Sequence, residues 1–541
     1  MEIKDKIISL LPDAVITEGQ YLTATIPSDK LHESVKRLRY DEETWFDYLM
    51  SLTGYDDGAN LGVVYYLSSS RFPQNVLVVK TFTSEREDAQ LFSISDIYET
   101  ANLNEREVFG LMGIRFINHP DMRKLFLRNE WVGFPLRKDY NADPAINPIN
   151  IESNPESDVL TKLTFTHEGV VESEEKIFED DEYVVNIGPQ HPATHGVLHF
   201  RVSLNGEIVK KIDLNCGYIH RGIEKLAESM TYPQILHMTD RLDYLSAHIN
   251  RHALCMCIEN ALQLEVPPRA QYIRTMMDEL TRVASHLLGW ACMCMDMGAL
   301  TAFIYGMRDR EIILDMFEET CGGRLITNYN VIGGVMADLH PNFLQRVRDF
   351  IPYMRKMLKE YHQVFTGNVI ARERMLGIGL LSKEEAISYG VTGPSGRASG
   401  FRCDVRKVAP YAAYDKVKFN EVVREEGDTY ARYVIRLDEI VESLNILEQL
   451  IETIPDGEIA AKTKAIIRLP EGDFYSRVEA ARGEFGVYIS SKGDKTPYRV
   501  KFRSPSMTLV GVVDKLTRGE KIADLIAIGG SLDYVVPDID R

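Results

Sequence analysis

The spacing of apolar and polar residues changes twice along the chain, and these changes divide it into three parts. Residues 1–140 mix short helical patterns with β-rich runs such as VLVVKTF at 76–82, which is typical of a small α+β domain. Residues 141–182 are rich in Asn, Pro, Ser and acidic side chains and predict an extended linker. Residues 183–541 begin with strand-like alternation and continue with long helical periods. We therefore predict an α+β protein whose last part is a mainly helical-bundle domain with an N-terminal β-hairpin and C-terminal β elements.

The helical periods of this last part predict individual helices. Pro233 suits the first turn of a helix that we expect to run to about residue 264, before Pro267-Pro268 breaks it. A second long helix is expected at 269–296, and two helices joined by such a tight turn are typical antiparallel neighbours in a bundle. Further helices are predicted at 308–320, 341–365 and 428–453. The segment 483–506 predicts two strands around a Gly-Asp turn.

Length and charge limit the kinds of protein this chain can be. With 541 residues it is too long for one ordinary core, and its 45% hydrophobic and 26% charged residues are typical of globular proteins. A net charge of −18 argues against nucleic acid or an anionic membrane as the main partner. The apolar stretch 290–307 is interrupted by Asp296 and followed by charged residues, which favours a buried helix over a membrane span. We expect any membrane association to come through partners.

The cysteine pattern indicates buried thiols rather than disulfides or a metal site. Seven cysteines without framework spacing favour a reducing cytoplasm. The two C-x-C pairs, at 255/257 and 292/294, lie in helical patterns, where positions i and i+2 point to different faces and make poor chelates. Buried apolar cysteines are therefore favoured over metal ligands.

Candidate chemistry is concentrated in the segment 183–225. His191 and His195 lie in a turn punctuated by Gly and Pro between strand-like runs, which predicts a fixed backbone path. A second polar cluster follows about one hairpin later, at Tyr218, His220, Arg221, Glu224 and Lys225. We interpret this hairpin as one wall of a small-molecule site.

The two predicted long helices offer partners for this hairpin. The candidates are Asp240, Asp243 and Tyr244 on the first helix, and Arg282, His286 and Asp296 on the second. Each set is spaced so that its members fall near one face of its helix. If the helices pack together, these faces could meet the two histidines and place imidazole, phenol and carboxylate in one cleft. Such a trio can donate protons to a reduced oxygen and resembles neither a nucleophile–base triad nor a metal cage.

Simpler interpretations compete with this one. Asp240 and Asp243 beside Arg241 could form ordinary bundle salt bridges, and Tyr244 could belong to the core. The spacing of the two histidines suits a metal, but Pro192 argues against a helix there and no third ligand is near in sequence. The charged triplet at 105–107, which opens an amphipathic helix, is best interpreted as a solvated helix face.

Several longer motifs resemble one known family. GPQHPATHG at 188–196, HRGIEK at 220–225 and DRLDY at 240–244 closely resemble the quinone-site subunit of respiratory complex I, which is related to the large subunit of nickel–iron hydrogenases. PPRAQ at 267–271, GEFGVY at 483–488 and the final Asp540-Arg541 match as well. The first part resembles the neighbouring subunit through ERE at 105–107, GI at 113–114, NHPD at 118–121 and PLRKDY at 135–140.

The chain as a whole therefore resembles a fused C/D subunit of NADH-quinone oxidoreductase. The resemblance implies a domain like the complex I C subunit (30 kDa-type) at 1–140 and a fusion joint at 141–182. It implies a domain like the D subunit (49 kDa-type), and so like the hydrogenase large subunit, at 183–541. It also implies a peripheral-arm subunit of a proton-translocating NADH:quinone oxidoreductase, attached through partners to the cytoplasmic side of a bacterial inner membrane. The expected partners are the cluster-bearing B subunit and other peripheral-arm and membrane-arm subunits.

The resemblance also implies cofactors and residue roles. Quinone, menaquinone or ubiquinone, is the expected substrate, with a terminal [4Fe–4S] cluster in the adjacent subunit and NADH and FMN in others. No metal or other cofactor is expected on this chain alone. His195 and Tyr244 would hydrogen-bond the quinone oxygens, and Asp296 would partner His195. The other implied roles are hairpin shaping for His191 and Gly196, a place near the cluster for Arg221 and His220, and structural polar contacts for Asp240, Arg241 and Asp243.

Departures from the family patterns change what we expect of hydrogenase activity and of the neighbouring cluster. Hydrogenases hold their metals with two cysteine pairs, whereas Cys216 stands alone here and the C-terminal segment 533–541 has no cysteine, which excludes hydrogenase activity on ligand count. Ile326 stands where many relatives have a histidine near the cluster, so we predict a weakly pH-dependent cluster, as suits menaquinone. Two alternatives stay open from the sequence: a complex fed by another donor such as ferredoxin, and a non-catalytic scaffold that docks the cluster-bearing partner.

Overall fold

The computed structural model describes residues 3–143, 145–148, 156–167 and 169–541. It confirms the predicted α+β class, with a β-rich first part followed by a helix-rich part that ends in further strands. The strands are β1 (Val15–Thr17), β2 (Leu22–Thr25), β3 (Tyr48–Asp56), β4 (Leu61–Ser68), β5 (Val76–Thr83), β6 (Gln90–Phe92), β7 (Arg115–Ile117), β8 (Val159–Thr166), β9 (Gly169–Lys176), β10 (Tyr183–Ile187), β11 (Gln190–His191), β12 (Gly196–Val197), β13 (His199–Asn205), β14 (Ile208–Asn215), β15 (Asn330–Val331), β16 (Gly334–Val335), β17 (Gly472–Ala480), β18 (Gly483–Ser491) and β19 (Arg499–Arg503).

Helices account for most of the second half. They are α1 (Ile3–Leu10), α2 (Leu31–Tyr40), α3 (Ala101–Met112), α4 (Ile223–Ser229), α5 (Tyr232–Thr239), α6 (Ala247–Leu262), α7 (Pro268–Asp296), α8 (Leu300–Cys321), α9 (Phe343–Tyr361), α10 (Val369–Glu373), α11 (Lys383–Ser388), α12 (Gly393–Arg397), α13 (Val405–Val408), α14 (Thr429–Thr453), α15 (Pro505–Gly511), α16 (Val513–Thr517), α17 (Ile522–Leu532) and α18 (Val536–Asp540). No helix among the described residues combines the length and the apolar character needed to cross a membrane.

The N-terminal part is built on a sheet with the strand order β1-β2-β5-β4-β3. Helix α3 packs against β3, where Gly54 leaves room for the side chain of Met112. The carbonyls of Met50 and Gly54 on β3 accept hydrogen bonds from Arg503 and Arg499 of β19, at 3.1 and 3.3 Å. The N-terminal sheet is therefore held directly by C-terminal strands.

The segment expected to be an extended linker is partly folded. Strands β8 and β9 form an antiparallel hairpin, so the prediction of an extended linker is wrong for these strands. The hairpin is attached on both sides: Asn118 N donates to the carbonyl of Leu163, at 2.6 Å, and Lys211 Nζ donates to that of Ile177, at 2.7 Å. These contacts satisfy backbone groups that a free linker would leave to water. Residues 144, 149–155 and 168 of the predicted linker lie outside the described residues.

The helical bundle follows the predicted pattern with one clear exception. Helices α7, α9 and α14 lie where helices were predicted, and α8 begins earlier than expected, at Leu300. The predicted helix 233–264 is wrong, because residues 240–246 form turns between α5 and α6. Asp243 explains part of this break, since its carboxylate accepts from Leu245 N at 3.1 Å and its carbonyl from Ser246 N at 3.0 Å. Such local bonds compete with the helical ladder.

Helix α3 also departs from expectation. The triplet Glu105, Arg106 and Glu107 is buried, with exposed fractions of 0, 5 and 4%, so the prediction of a solvated helix face is wrong. Burial raises the pKa of Glu105 to about 8. Glu107 pairs with Lys501 and, at 2.6 Å, with Arg541. The C-terminal residues therefore cover and neutralise a face that looks solvent-exposed in the sequence alone.

Candidate functional site

His195 lies at the tip of the hairpin predicted from the sequence. The small ladder of β11 and β12 pairs His191 with Gly196, and the chain between them turns so tightly that His195 has a φ of 52°. A Cβ on Gly196 would lie 2.5 Å from Cγ2 of Val536, so only glycine lets the hairpin rest on α18. His191 is exposed on the same tip.

Asp296, the last residue of α7, reaches this turn. Its Oδ2 lies 2.7 Å from Nε2 of His195. A carboxylate at a helix C-terminus faces the negative end of the helix dipole, so a cationic partner is favoured there. Burial by itself would lower the pKa of His195, but the hydrogen bond and charge of Asp296 outweigh it and raise that pKa above its ordinary value. The pair therefore favours a protonated imidazole beside a carboxylate.

Tyr244 lies on the turn between α5 and α6 and is partly buried. Its hydroxyl makes no hydrogen bond to any residue that the structure describes. Burial raises the pKa of the phenol, and the positive charge of Arg482 partly opposes that rise. The positive charge of the same Arg482 also works to lower the pKa of His195.

Arg482 connects the turn that carries Tyr244 to other parts of the chain. It sits in the turn between β17 and β18, and only 1% of its surface is exposed. Its Nη1 donates to Asp243 at 3.0 Å and to Ser285 at 2.8 Å, while Nη2 donates to Asp533 at 3.2 Å. Because Asp243 belongs to the turn that carries Tyr244, these bonds fix the phenol's position. Sequence reasoning missed Arg482, Ser285 and Asp533, since no local pattern marks them.

The remaining residues of the DRLDY motif also have structural partners. Asp240 Oδ2 lies 3.3 Å from Nη1 of Arg251, and burial raises the pKa of this carboxyl. Arg241 is exposed, and its carbonyl accepts a hydrogen bond from Nη2 of Arg221, at 2.8 Å. Arg221 therefore contacts the same turn as Tyr244.

His220 and Arg221 form a separate face beside the C-terminal residues. Nδ1 of His220 lies 2.6 Å from the carbonyl of Asp540, and its ring stacks on Phe126 with 5.2 Å between centroids. Burial lowers the pKa of His220 below its ordinary value. Arg221 N donates to the carbonyl of Arg541, at 3.1 Å, while its side chain is exposed. This face can meet a partner protein.

Arg282 and His286 do not join the cleft. Both are fully buried on α7, where Nε2 of His286 lies 2.9 Å from Glu439 and Nε of Arg282 lies 3.3 Å from Glu279. The prediction that this helix face meets the two histidines is therefore wrong for Arg282 and His286. Asp296 contacts one of the two histidines, His195. The helix is long enough that its N-terminal and middle turns face the bundle core while its last turn reaches the hairpin.

All seven cysteines are free thiols, and Cys255, Cys257 and Cys294 are buried. Among the described residues no group of three or more His, Cys, Asp or Glu side chains could hold a metal ion.

Comparisons with known proteins identify the family. Residues 24–145 match the family model of the respiratory-chain NADH dehydrogenase 30 Kd subunit, and residues 296–470 and 462–541 match that of the 49 Kd subunit. The NADH-quinone oxidoreductase C/D subunit of Phocaeicola vulgatus is 61% identical over 518 residues, which are 95% of this chain and 99% of that protein. The C/D subunit of Bacteroides fragilis is 60% identical over 94% of this chain and 98% of its own length.

Relatives that lack the C portion match as well. The NADH-quinone oxidoreductase D subunit of Bacillus mycoides is 46% identical over 361 residues, which are 66% of this chain and 99% of that protein. A separate D protein is therefore matched along almost its whole length by part of this chain, as expected for a fusion of two subunits. This chain belongs to the family of fused C/D subunits of NADH-quinone oxidoreductase, respiratory complex I, and is part of that enzyme complex.

Proposed function

We propose that this chain forms the quinone-reduction site of the complex and that His195, Tyr244 and Asp296 act on the quinone. The observation that carries the proposal is the His195–Asp296 hydrogen bond of 2.7 Å, and it is supported by the Tyr244 hydroxyl, which has no partner among the described residues. His195 is a half-buried proton donor oriented by Asp296, and Tyr244 is a second donor that no described residue otherwise uses. Two such donors match the needs of a substrate with two carbonyl oxygens.

The reaction requires two protons at these oxygens. A quinone that takes up two electrons becomes strongly basic, and it forms quinol when it also takes up two protons. With Nε2 of His195 directed to Asp296, Nδ1 of the protonated ring remains to donate to one quinone oxygen. Tyr244 would donate to the other oxygen. Once His195 has given up its proton, its attraction to Asp296 weakens, which biases the hairpin toward another position.

Electrons and partners come from outside this chain. We propose that they arrive singly from a terminal [4Fe–4S] cluster in the adjacent cluster-bearing subunit, after NADH oxidation at FMN in other subunits. The exposed side chain of Arg221, beside the stacked His220, supports a contact with that partner. A guanidinium near a cluster tunes its potential electrostatically. In this proposal the complex lies on the cytoplasmic side of the inner membrane and couples quinone reduction to proton translocation.

The substitution Tyr244→Phe tests the assignment in the intact complex from native membranes, with every co-purifying chain identified. NADH:quinone turnover is expected to fall about 100-fold or more, since one positioned proton donor is lost. NADH oxidation by a water-soluble electron acceptor, which bypasses the quinone site, serves as the control and is expected to stay unchanged. Full quinone turnover in the variant would show that the chain acts only as a scaffold for the cluster-bearing partner.

A further inference from the structure

Arg310, in the middle of α8, is a buried cation to which the described part of the chain offers no partner. Only 8% of its surface is exposed, and its Nε is shielded from solvent with no hydrogen-bond acceptor. Its side chain makes no hydrogen bond or ion pair with any residue that the structure describes. Most buried charged groups in proteins are paired, so a buried guanidinium that lacks a partner of this kind is rare.

The neighbouring carboxylates on α8 are already engaged. Asp309 accepts hydrogen bonds from Tyr361 and from Arg308, the latter at 2.7 Å. Glu311 pairs with Arg324 at the surface. Burial lowers the pKa of Arg310, and the charge of Arg324 opposes that of Glu311. The guanidinium nevertheless stays charged, since arginine does not deprotonate in proteins. A charge buried in this way is costly unless something outside the chain compensates it.

Arg310 lies on the face of α8 that packs against α7: Gly306, one turn before it, is so close to Ala291 of α7 that a Cβ on the glycine would lie 2.8 Å from the alanine Cβ. Burial raises the pKa of Tyr244 and that of Cys292, and the positive charge of Arg310 opposes both rises. Cys292 lies four residues before Asp296 on α7, so the two side chains are on the same side of that helix. The charge of Asp296 also acts on Cys292. Arg310 therefore lies beside the last turns of α7, whose final residue, Asp296, contacts His195.

We propose that Arg310 is a further substrate-binding residue of the quinone site: its guanidinium donates hydrogen bonds to a quinone oxygen and stabilises the negative charge that develops there. This inference rests on the proposed function. The quinone takes two electrons, supplied by NADH through the complex, and two protons, from His195 and Tyr244, and leaves as quinol. Arg310 transfers no proton. It also stabilises the phenolate that Tyr244 becomes when it gives up its proton.

The first test is kinetic and uses Arg310→Gln in the intact complex from native membranes, with a short-chain quinone as substrate. Turnover is expected to fall about 100-fold with a smaller change in KM, because the interaction is stronger after charge develops. Arg310→Lys keeps the charge but loses the planar fork and is expected to retain part of the activity. Arg324→Gln, which changes a more exposed arginine just after the same helix, is the matched control and is expected to behave as wild type.

Chemical rescue separates substrate binding from a structural role. In Arg310→Ala, added guanidinium ion is expected to restore part of the quinone turnover in a saturable way. The ion fills the space that the side chain leaves and supplies the missing charge. Arg324→Ala is expected to show no such response, and neither is the reaction with the water-soluble acceptor. Absence of rescue together with normal turnover in Arg310→Gln would overturn the proposal.

Three other outcomes have distinct meanings. If Arg310→Gln loses a partner protein of the complex and Arg310→Lys retains it, the counter-charge is a carboxylate of that partner, and the proposal is wrong. If Tyr244→Phe loses quinone turnover while Arg310→Gln does not, the quinone site stands without Arg310. If both variants reduce quinone normally, the proposed function fails as well.

Discussion

Two groups of buried charges in this molecule differ in how completely they are paired. In the bundle core, Arg397 donates to Glu439 at 2.6 Å and to Glu479 at 2.7 Å. Arg406 donates to Glu279 at 3.0 Å in the same core. All five side chains are buried, and each has a partner of opposite charge. This core cluster is closed within the chain.

The group of side chains around the end of α7 is different. His195 and Asp296 pair with each other, but the hydroxyl of Tyr244 and the guanidinium of Arg310 have no partner among the described residues. Unpaired polar groups weaken a fold, so they persist where a ligand or partner completes them. In these two groups, complete pairing is found in the bundle core and incomplete pairing at the candidate site. Substitutions in each cluster should therefore affect different properties.

The largest effect on stability is expected from the closed core cluster. Arg397→Met would leave Glu439 and Glu479 buried without their main partner, at a cost of about 3–5 kcal/mol. Thermal unfolding of the purified complex, and the amount of complex assembled in membranes, would measure this loss. Arg402→Met removes an exposed arginine, 66% accessible, and is the control with no measurable change expected. Equal effects of the two substitutions would contradict the description of the core cluster.

Tyr244→Phe is expected to reduce quinone turnover and to leave stability almost unchanged, in contrast to Arg397→Met. Because the hydroxyl has no partner among the described residues, its removal should change the unfolding free energy by less than about 0.5 kcal/mol while quinone turnover is lost. The same unfolding measurement, run beside the kinetic assay, checks this. If the variant were strongly destabilised, Tyr244 would be a structural residue, like the members of the core cluster.

Asp296→Asn is expected to change the pH dependence of quinone reduction. The charge of Asp296 raises the pKa of His195, so the protonated donor persists to higher pH in the wild type. With asparagine the pKa falls, and the decline of turnover with rising pH begins at lower pH, with about tenfold less donor for each pKa unit lost.

The pair also contributes to stability in a pH-dependent way. Because the folded pKa of His195 is raised, this contribution is complete below the unfolded value of about 6.5 and is lost as pH rises through the folded value. Profiles of turnover and unfolding temperature between about pH 5 and 9 would test both signs. Identical profiles for wild type and variant would show that Asp296 does not act on His195.

The smallest effect on turnover is expected from Ile326, a half-buried residue in the loop after α8. An isoleucine cannot titrate, so we predict a cluster potential that changes little with pH. Ile326→His would add a titratable group and steepen the slope toward about 59 mV per pH unit, the limit for one proton per electron. Redox titration of the wild-type complex at several pH values measures this, and a steep wild-type slope would contradict the prediction.

Local periodicity determined much of the fold. The helices α7 and α14 and the strands β18 and β19 lie where their apolar spacing predicted them, because each element buries one pattern along its own length. The hairpin with His195 was also predicted, since glycine and proline restrict the backbone whatever surrounds them. The family and its site motifs could likewise be recognised from the sequence alone.

Tertiary structure decided what depends on partners far away in the chain. The triplet at 105–107 looks like a solvated helix face, but partners elsewhere in the chain bury it. Arg541 and Lys501 pair with Glu107, and Asp121 pairs with Arg106. Arg482 became part of the site only because the turn between β17 and β18 meets Asp243. Arg310 has ordinary helical surroundings in the sequence, and its lack of a partner among the described residues is visible only in three dimensions. Periodicity reports which face of an element is apolar, whereas charge pairing depends on distances between elements, which a one-dimensional pattern does not contain.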